Sequence, residues 1–190
     1  MTEKKMGEKD RFRNSPQVIF ILGGARSGKS RYAQKIAKAF KGKKLFVATA
    51  QALDEEMAGR IENHKKQRGG MWETREEPIE IVQVVSEMQS NYGVILIDCL
   101  TLWVSNLLMA FEDDRERVEN CIKGLIDRLT NIKTTVILVS NEVGSGIVPE
   151  NRLARSFRDL AGLLNQGVAQ VADRVVLMVA GIPVVVKGEA

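Results

Sequence analysis

The chain holds one histidine, two cysteines and four prolines among its 190 residues, and aromatic side chains make up only 5%. One imidazole cannot form the His pairs of zinc hydrolases, and Cys99 and Cys121 lack the C-x-x-C spacing of a metal or redox site. A Cys/His protease and a disulfide framework drop out with them, and two reduced, buried thiols are the expected state. No stretch approaches the ~18 consecutive apolar residues of a membrane span, and the charged N-terminus lacks the apolar segment of a signal peptide. The expectation is a cytoplasmic protein without membrane insertion. Charge of one sign is scarce too. The net charge is +4, and the segment Met1 to Arg13, with five basic and three acidic residues, supplies half of it. The rest is too nearly neutral to suggest a nucleic-acid partner. What is present is ordinary for a globular chain, 44% hydrophobic and 27% charged, enough at this length to bury one core.

Residues 1 to 16, ending in Pro16, carry no hydrophobic periodicity and read as a mobile tail; residues 17 to 190 read as one domain. Apolar runs follow at 18 to 22, 44 to 50, 94 to 98, 135 to 140 and 173 to 180. They are rich in β-branched residues and do not alternate with polar ones, as suits strands covered on both faces. Segments of helical length separate them, at 29 to 40, 54 to 67, 78 to 90, 102 to 130 with a break near Asp113, and 150 to 171. This alternation predicts an α/β fold with a mostly parallel sheet flanked by helices. The last run, 183 to 187, follows its predecessor after only Gly181 and Ile182, too short for a crossover, so an antiparallel C-terminal hairpin is expected.

Directly after the first run comes Gly23, Gly24, Ala25, Arg26, Ser27, Gly28, Lys29, Ser30, which fits G-x-x-x-x-G-K-[ST] between a strand and a helix. Glycines let backbone N–H groups wrap a phosphate, and the helix start adds the positive end of its dipole. Lys29 is expected to reach the β- and γ-phosphates and the Ser30 hydroxyl to ligate Mg²⁺. The competing reading, a glycine-rich turn with no ligand, explains neither the lysine nor the hydroxyl. A carboxylate at the end of a neighbouring strand commonly completes such a magnesium site, and Asp98 closes the run 94 to 98. Asp98 also suits the N-cap of the helix that follows, and the two roles are compatible.

The lone histidine falls in DEEMAGRIENHKKQR, residues 54 to 68, acidic at its start and basic at its end as a helix dipole favours, with Met57 and Ile61 as an apolar i, i+4 pair. Arg60, His64 and Arg68 share one stripe at i, i+4 and i+8. Neighbouring cations disfavour imidazolium and keep the ring neutral and nucleophilic, while guanidinium groups beside it suit a phosphate. A solvated basic helix end would carry the same pattern, and composition does not separate the two.

Five blocks, GGARSGKSRYAQ (23 to 34), FVATAQALDEEMAGRIENHKKQR (46 to 68), WETREEP (72 to 78), VILIDCLTLWVSNLL (94 to 108) and NEVGSGIVPENRLARSFRDLAGLLNQ (141 to 166), resemble the bifunctional adenosylcobinamide kinase/adenosylcobinamide-phosphate guanylyltransferase family of cobalamin biosynthesis. The resemblance runs from about Val18 to Lys187. It implies a phosphate-loop α/β domain assembled as a homotrimer, acting on adenosylcobinamide and adenosylcobinamide phosphate with GTP, ATP and Mg²⁺. It implies His64 as the residue that becomes guanylylated. It also implies nucleotide contacts at 23 to 30, at Ala48, Thr49 and Ala50, at Lys65, Lys66, Gln67 and Arg68, at Glu76 and at Asp98. Some members have two adjacent histidines where this chain has Asn63 and His64, and some have Glu in place of Asp98. The rival readings are a small-molecule kinase in which His64 is idle, and a nucleotide-switched binding module. The block 141 to 155 fits either a substrate loop or a turn and N-cap with subunit contacts.

Overall fold

The computed structural model describes residues 15–52, 54–68 and 70–189, with the side chains at positions 60, 63, 64 and 66–68 outside that set. In chain order the elements are β1 (Val18–Gly23), α1 (Lys29–Ala37), β2 (Lys44–Ala48), α2 (Glu55–Arg68), β3 (Trp72–Glu76), α3 (Ile81–Met88) and β4 (Val94–Asp98). There follow α4 (Leu100–Ala110), α5 (Arg115–Leu129), β5 (Thr135–Val139), α6 (Arg152–Val171), β6 (Arg174–Val179) and β7 (Ile182–Lys187). The strands form one sheet in the order β3-β2-β4-β5-β1-β6-β7. All pairings are parallel except β6 with β7.

Alternation along each strand divides the core in two. Val18 and Phe20 of β1 join Leu45, Val47, Ile95, Ile97, Val136 and Leu138 under α3 to α6. Ile19 and Ile21 join Phe46, Val94, Leu96, Ile137 and Val139 under Ala33 and Ala37 of α1. Burial on both faces is why these runs are apolar throughout rather than alternating.

β3 was not legible as a strand. Its sequence WETRE is mostly polar because it lies at the sheet edge, where only Trp72 is buried, edge-on to Phe46 with ring centroids 5.8 Å apart. β2 stops at Ala48 rather than Ala50 because the Thr49 side chain turns to the backbone of Cys99, donating to its carbonyl and accepting from its N–H, each at 2.8 Å. The long helical segment breaks at 111 to 114, where Glu112 and Asp113 take positive φ and Asp114 caps α5 by accepting from Arg117 N–H at 3.2 Å. Both thiols are free, but only Cys99 is buried; Cys121 is half-buried, since α5 turns it toward the edge of its core. Most of the expected N-terminal tail, 1 to 14, lies outside the described residues; the Gln17 carbonyl already accepts from Val136 N–H at 2.8 Å. No helix among the described residues is long and apolar enough to cross a membrane.

Strand register assembles the site. Glu76 pairs with Ala48, Ala48 with Asp98, Asp98 with Val139 and Val139 with Ile21, so these residues form one row across five neighbouring strands. At about 4.8 Å between strands, Asp98 lies roughly 10 Å from both Glu76 and the start of the phosphate loop. The loops leaving that row share the carboxyl edge of the sheet, where open α/β sheets bind ligands.

Candidate active site

The turn from β1 into α1 needs glycine at two positions. Gly28 has φ +90° immediately before the helix, and a Cβ at Gly23, φ +152°, would sit 2.6 Å from the Met178 carbonyl. Gly28 is the N-cap and offers no side chain to the first-turn N–H groups, and that turn carries no acid, which leaves those donors open to an anion. Lys29 is 7% exposed and folds back over the loop to donate to the Gly24 carbonyl at 2.6 Å. The buried Ser27 hydroxyl has no hydrogen-bond partner among the described residues. Two neighbours brace the loop: Gly181 N–H, in the β6–β7 turn, donates to Ser27 O, and Glu142 N–H donates to Gly23 O, each at 3.1 Å. Gly24, Ala25 and Arg26 are exposed at the tip, and Ser30 is half-buried in the first turn of α1.

Asp98 is half-buried at the end of β4. The alternation that puts Leu96 under α1 sends Asp98 to the same side as Lys29. It is not the N-cap of α4; that position falls to Cys99, which makes no side-chain cap bond. The Asp98–Cys99 peptide is cis. Burial pushes the Lys29 ammonium below the ordinary lysine pKa, with the negative forms of Cys99 and Asp98 acting against the shift. Burial also pushes the Cys99 thiol up, and Asp98 adds to it. A triphosphate beside Lys29 favours its charged form and raises its pKa. Between the free and bound values the free protein carries fewer protons, so a triphosphate placed there should be bound with proton uptake in alkaline buffer. Calorimetry in two buffers of different ionisation enthalpy reads this directly, and an uptake of zero throughout the alkaline range contradicts it.

α2 starts on a side-chain cap, Met57 N–H donating to Asp54 Oδ1 at 2.7 Å, with Glu55 and Glu56 in its first turn. Met57 and Ile61, the apolar i, i+4 pair of the sequence, are half-buried. His64, Lys66, Gln67 and Arg68 lie on this helix, as does Arg60, so the i, i+4, i+8 relation of Arg60, His64 and Arg68 holds for the backbone; their side chains lie outside the described residues. Lys65 Nζ lies 2.5 Å from Glu76 Oε1, both side chains about half exposed. This ion pair ties the histidine's helix to the row of strand ends that contains Asp98.

A set of buried polar side chains around α4 had no motif to announce it. Thr101, 3% exposed, accepts from Asn141 N–H at 2.9 Å; Trp103 Nε1 donates to the Ile79 carbonyl at 2.7 Å; Asn106, 5% exposed, donates to the Thr49 and Pro78 carbonyls at 2.8 and 3.1 Å. The only signal in the sequence was the presence of Thr101, Ser105 and Asn106 within an otherwise apolar helix. In the 141 to 155 block, Asn151 caps α6 by accepting from Ala154 N–H at 3.0 Å, and Arg158 donates to the Gly144 carbonyl at 2.7 Å. This loop leaves Ile147 97% exposed.

A glycine-rich turn braced between a central parallel strand and a helix, with a lysine over it and an acid on the adjoining carboxyl edge, defines a phosphate-loop nucleotide-binding α/β protein. Solved structures agree on the fold. A prototypical ATPase from the type III secretion system of pathogenic bacteria aligns with a TM-score of 0.53 at 13% identity, over 85% of this chain and 50% of that one. A protein of Pyrococcus horikoshii aligns with a TM-score of 0.55 at 9% identity, over 97% and 94%. Residues 19–186 match the family described as cobinamide kinase / cobinamide phosphate guanyltransferase. The bifunctional adenosylcobalamin biosynthesis protein CobP of Pseudomonas aeruginosa is 43% identical over 169 residues, 89% of this chain and 96% of that protein. The corresponding CobU of Salmonella typhimurium is 42% identical over 181 residues, 90% and 99%. The chain belongs to the cobinamide kinase / cobinamide phosphate guanyltransferase family.

Proposed function

We propose that this enzyme phosphorylates adenosylcobinamide with ATP or GTP and then transfers GMP from GTP to adenosylcobinamide phosphate through a covalent GMP–His64 intermediate. The observation that carries this reading is the shared carboxyl edge. The phosphate loop, Asp98 and the Glu76-tethered helix bearing His64 all open onto it.

In the kinase half, the N–H groups of residues 24 to 30 hold the phosphates, and Lys29 exchanges the Gly24 carbonyl for the β- and γ-oxygens. The hydroxyl of the aminopropanol arm attacks the γ-phosphorus, the bond to the β,γ-bridging oxygen breaks, and the hydroxyl proton is lost to solvent. Ser30 and, through water, Asp98 fit a magnesium ion. A hydroxyl in the first turn of α1 and a carboxylate at the end of β4, both on half-buried residues, are the oxygen donors that a hard cation takes. Magnesium supplies charge neutralisation at the phosphates. In the transferase half, an imidazole nitrogen of His64 attacks the α-phosphorus of GTP, forming a P–N bond as pyrophosphate leaves. Lys65 to Arg68 and Glu76 flank the nucleotide. A phosphate oxygen of adenosylcobinamide phosphate then displaces the nitrogen, giving adenosylcobinamide-GDP.

The test is incubation with α-labelled GTP and magnesium, followed by mass spectrometry. A GMP adduct on His64 is expected, and a chain that turns over without any adduct is the simple kinase instead. The nucleotide substrates and the free thiols support a cytoplasmic site of action. For the homotrimer, the support is β7, an edge strand that leaves Ile182, Val184 and Val186 65%, 46% and 63% exposed on one side. Light scattering should give three copies, and Val184→Asp with Val186→Asp should give monomers. A parental monomer, or a double variant that stays trimeric, removes β7 as the interface.

A further inference from the structure

Two loops lead to the helix that carries His64 and to the strand end it is paired with, and one side chain bonds to both loops. α2 enters from the loop that begins at Thr49, and through Lys65 it is tied to Glu76, two residues before Pro78. Asn106 Nδ2 donates to the carbonyls of Thr49 and Pro78. Its amide group has two N–H donors, so each carbonyl can take its own hydrogen, and burial makes both bonds costly to lose. Glu77 N–H to the Ala48 carbonyl, 2.9 Å, runs between the same two loops, and Trp103 Nε1 to the Ile79 carbonyl fastens the second of them to α4. α4 itself is fully packed, with Leu100, Trp103, Val104 and Leu107 at most 1% exposed, so it is a rigid base for these contacts.

The phosphate loop is braced by different groups. Its restraints are Lys29 to Gly24, Gly181 to Ser27 and Glu142 to Gly23, and none of them involves Asn106. We infer that Asn106 is a positioning residue for the guanylylation half-reaction, setting where the His64 helix stands relative to the bound nucleotide while leaving the γ-phosphate end of the site to the phosphate loop. This rests on His64 as the nucleophile. In-line attack on the α-phosphorus tolerates little displacement of the attacking nitrogen, whereas the kinase step uses no group on α2 as a nucleophile.

The experiment uses the full chain and four proteins: parental, Asn106→Leu, Trp103→Phe and His64→Ala. Adduct formation from α-labelled GTP is followed in single turnover at a series of GTP concentrations, and kinase turnover is followed with ATP and adenosylcobinamide. Asn106→Leu should slow adduct formation at saturating GTP by on the order of 10- to 100-fold. Kinase turnover with ATP should stay within about twofold, while the half-saturating GTP concentration for adduct formation rises because α2 also carries Lys65 to Arg68; general loosening of the fold does not produce such a split between the two half-reactions. Trp103→Phe removes the N–H to Ile79 together with part of a buried ring, so its thermal unfolding is measured alongside; it should give the same selective loss in smaller degree and decides the question where Asn106→Leu does not fold. Parallel loss of both activities in these variants, or no loss in either, overturns the inference. His64→Ala separates the two levels: an adduct that survives in it defeats the nucleophile assignment itself, whereas one abolished there but formed at the parental rate in the Asn106 and Trp103 variants defeats only the positioning role.

Discussion

Lys29→Ala should lower phosphoryl transfer and guanylylation together, each by roughly 10²- to 10³-fold or more, while the fold persists. On the proposed mechanism both reactions place a triphosphate in the same loop, and Lys29 folds over that loop with its Nζ 2.6 Å from the Gly24 carbonyl. Because the side chain is already largely withdrawn from water, less hydration has to be stripped when phosphate replaces that carbonyl, and its charge acts at reduced local dielectric. The same burial explains why stability should change little. A cation whose pKa is pushed down by desolvation is held at a cost, so removing it relieves that cost, and the Gly24 carbonyl it leaves sits on an exposed residue that water can reach. Rates of both half-reactions, GTP binding and thermal unfolding on one preparation form the check. Parental turnover in the variant would mean the loop is not the working nucleotide site. Loss of one activity alone would mean the two reactions do not share it.

The parts of this site that could be read from the sequence are those written in consecutive residues. The strand, the loop from Gly23 to Ser30 and α1 form one local pattern, and the run ending in Asp98 places an acid at a strand end wherever that strand falls in the sheet. Pairing was less legible. β3 escaped because an edge strand needs few apolar residues, and only Trp72 marks it. Which strand ends lie side by side is a property of the sheet order, so the row from Glu76 through Asp98 to Ile21 follows only from the register. Asn106 is the extreme case, since its partners are 57 and 28 residues away and are main-chain carbonyls, which every residue possesses. His64 stands between these cases. Spacing gave it arginines at i−4 and i+4 but left a solvated basic helix end equally open, and its assignment as nucleophile came from the family resemblance.

His64→Ala should abolish the GMP adduct and guanylyl transfer, a fall on the order of 10⁴-fold or more, and spare the kinase reaction. His64 is the only histidine in the chain, so no second imidazole can take over, and an adduct mapped to a histidine has one possible position; a lysine would also give an acid-labile P–N bond, so peptide fragmentation makes the assignment. Its neighbour Asn63 has an amide nitrogen whose lone pair is delocalised and cannot substitute as a nucleophile. The kinase step survives because its nucleophile is the substrate's own hydroxyl and its electrostatic support comes from the phosphate loop. The pH dependence follows from the same assignment. Only the neutral ring attacks, so adduct formation in the parental enzyme falls as the pH drops through the histidine pKa. If Arg60 and Arg68 face His64 as their helical spacing implies, they hold that pKa down and extend activity to lower pH. Arg60→Gln with Arg68→Gln then moves the acid limb upward and weakens GTP capture; an acid limb that stays in place means these side chains do not face the ring. A His64→Ala enzyme that still makes adenosylcobinamide-GDP at the parental rate would rule out covalent catalysis through His64; without any adduct it would point to direct attack of the substrate phosphate on the α-phosphorus of GTP, and with one to a different nucleophile.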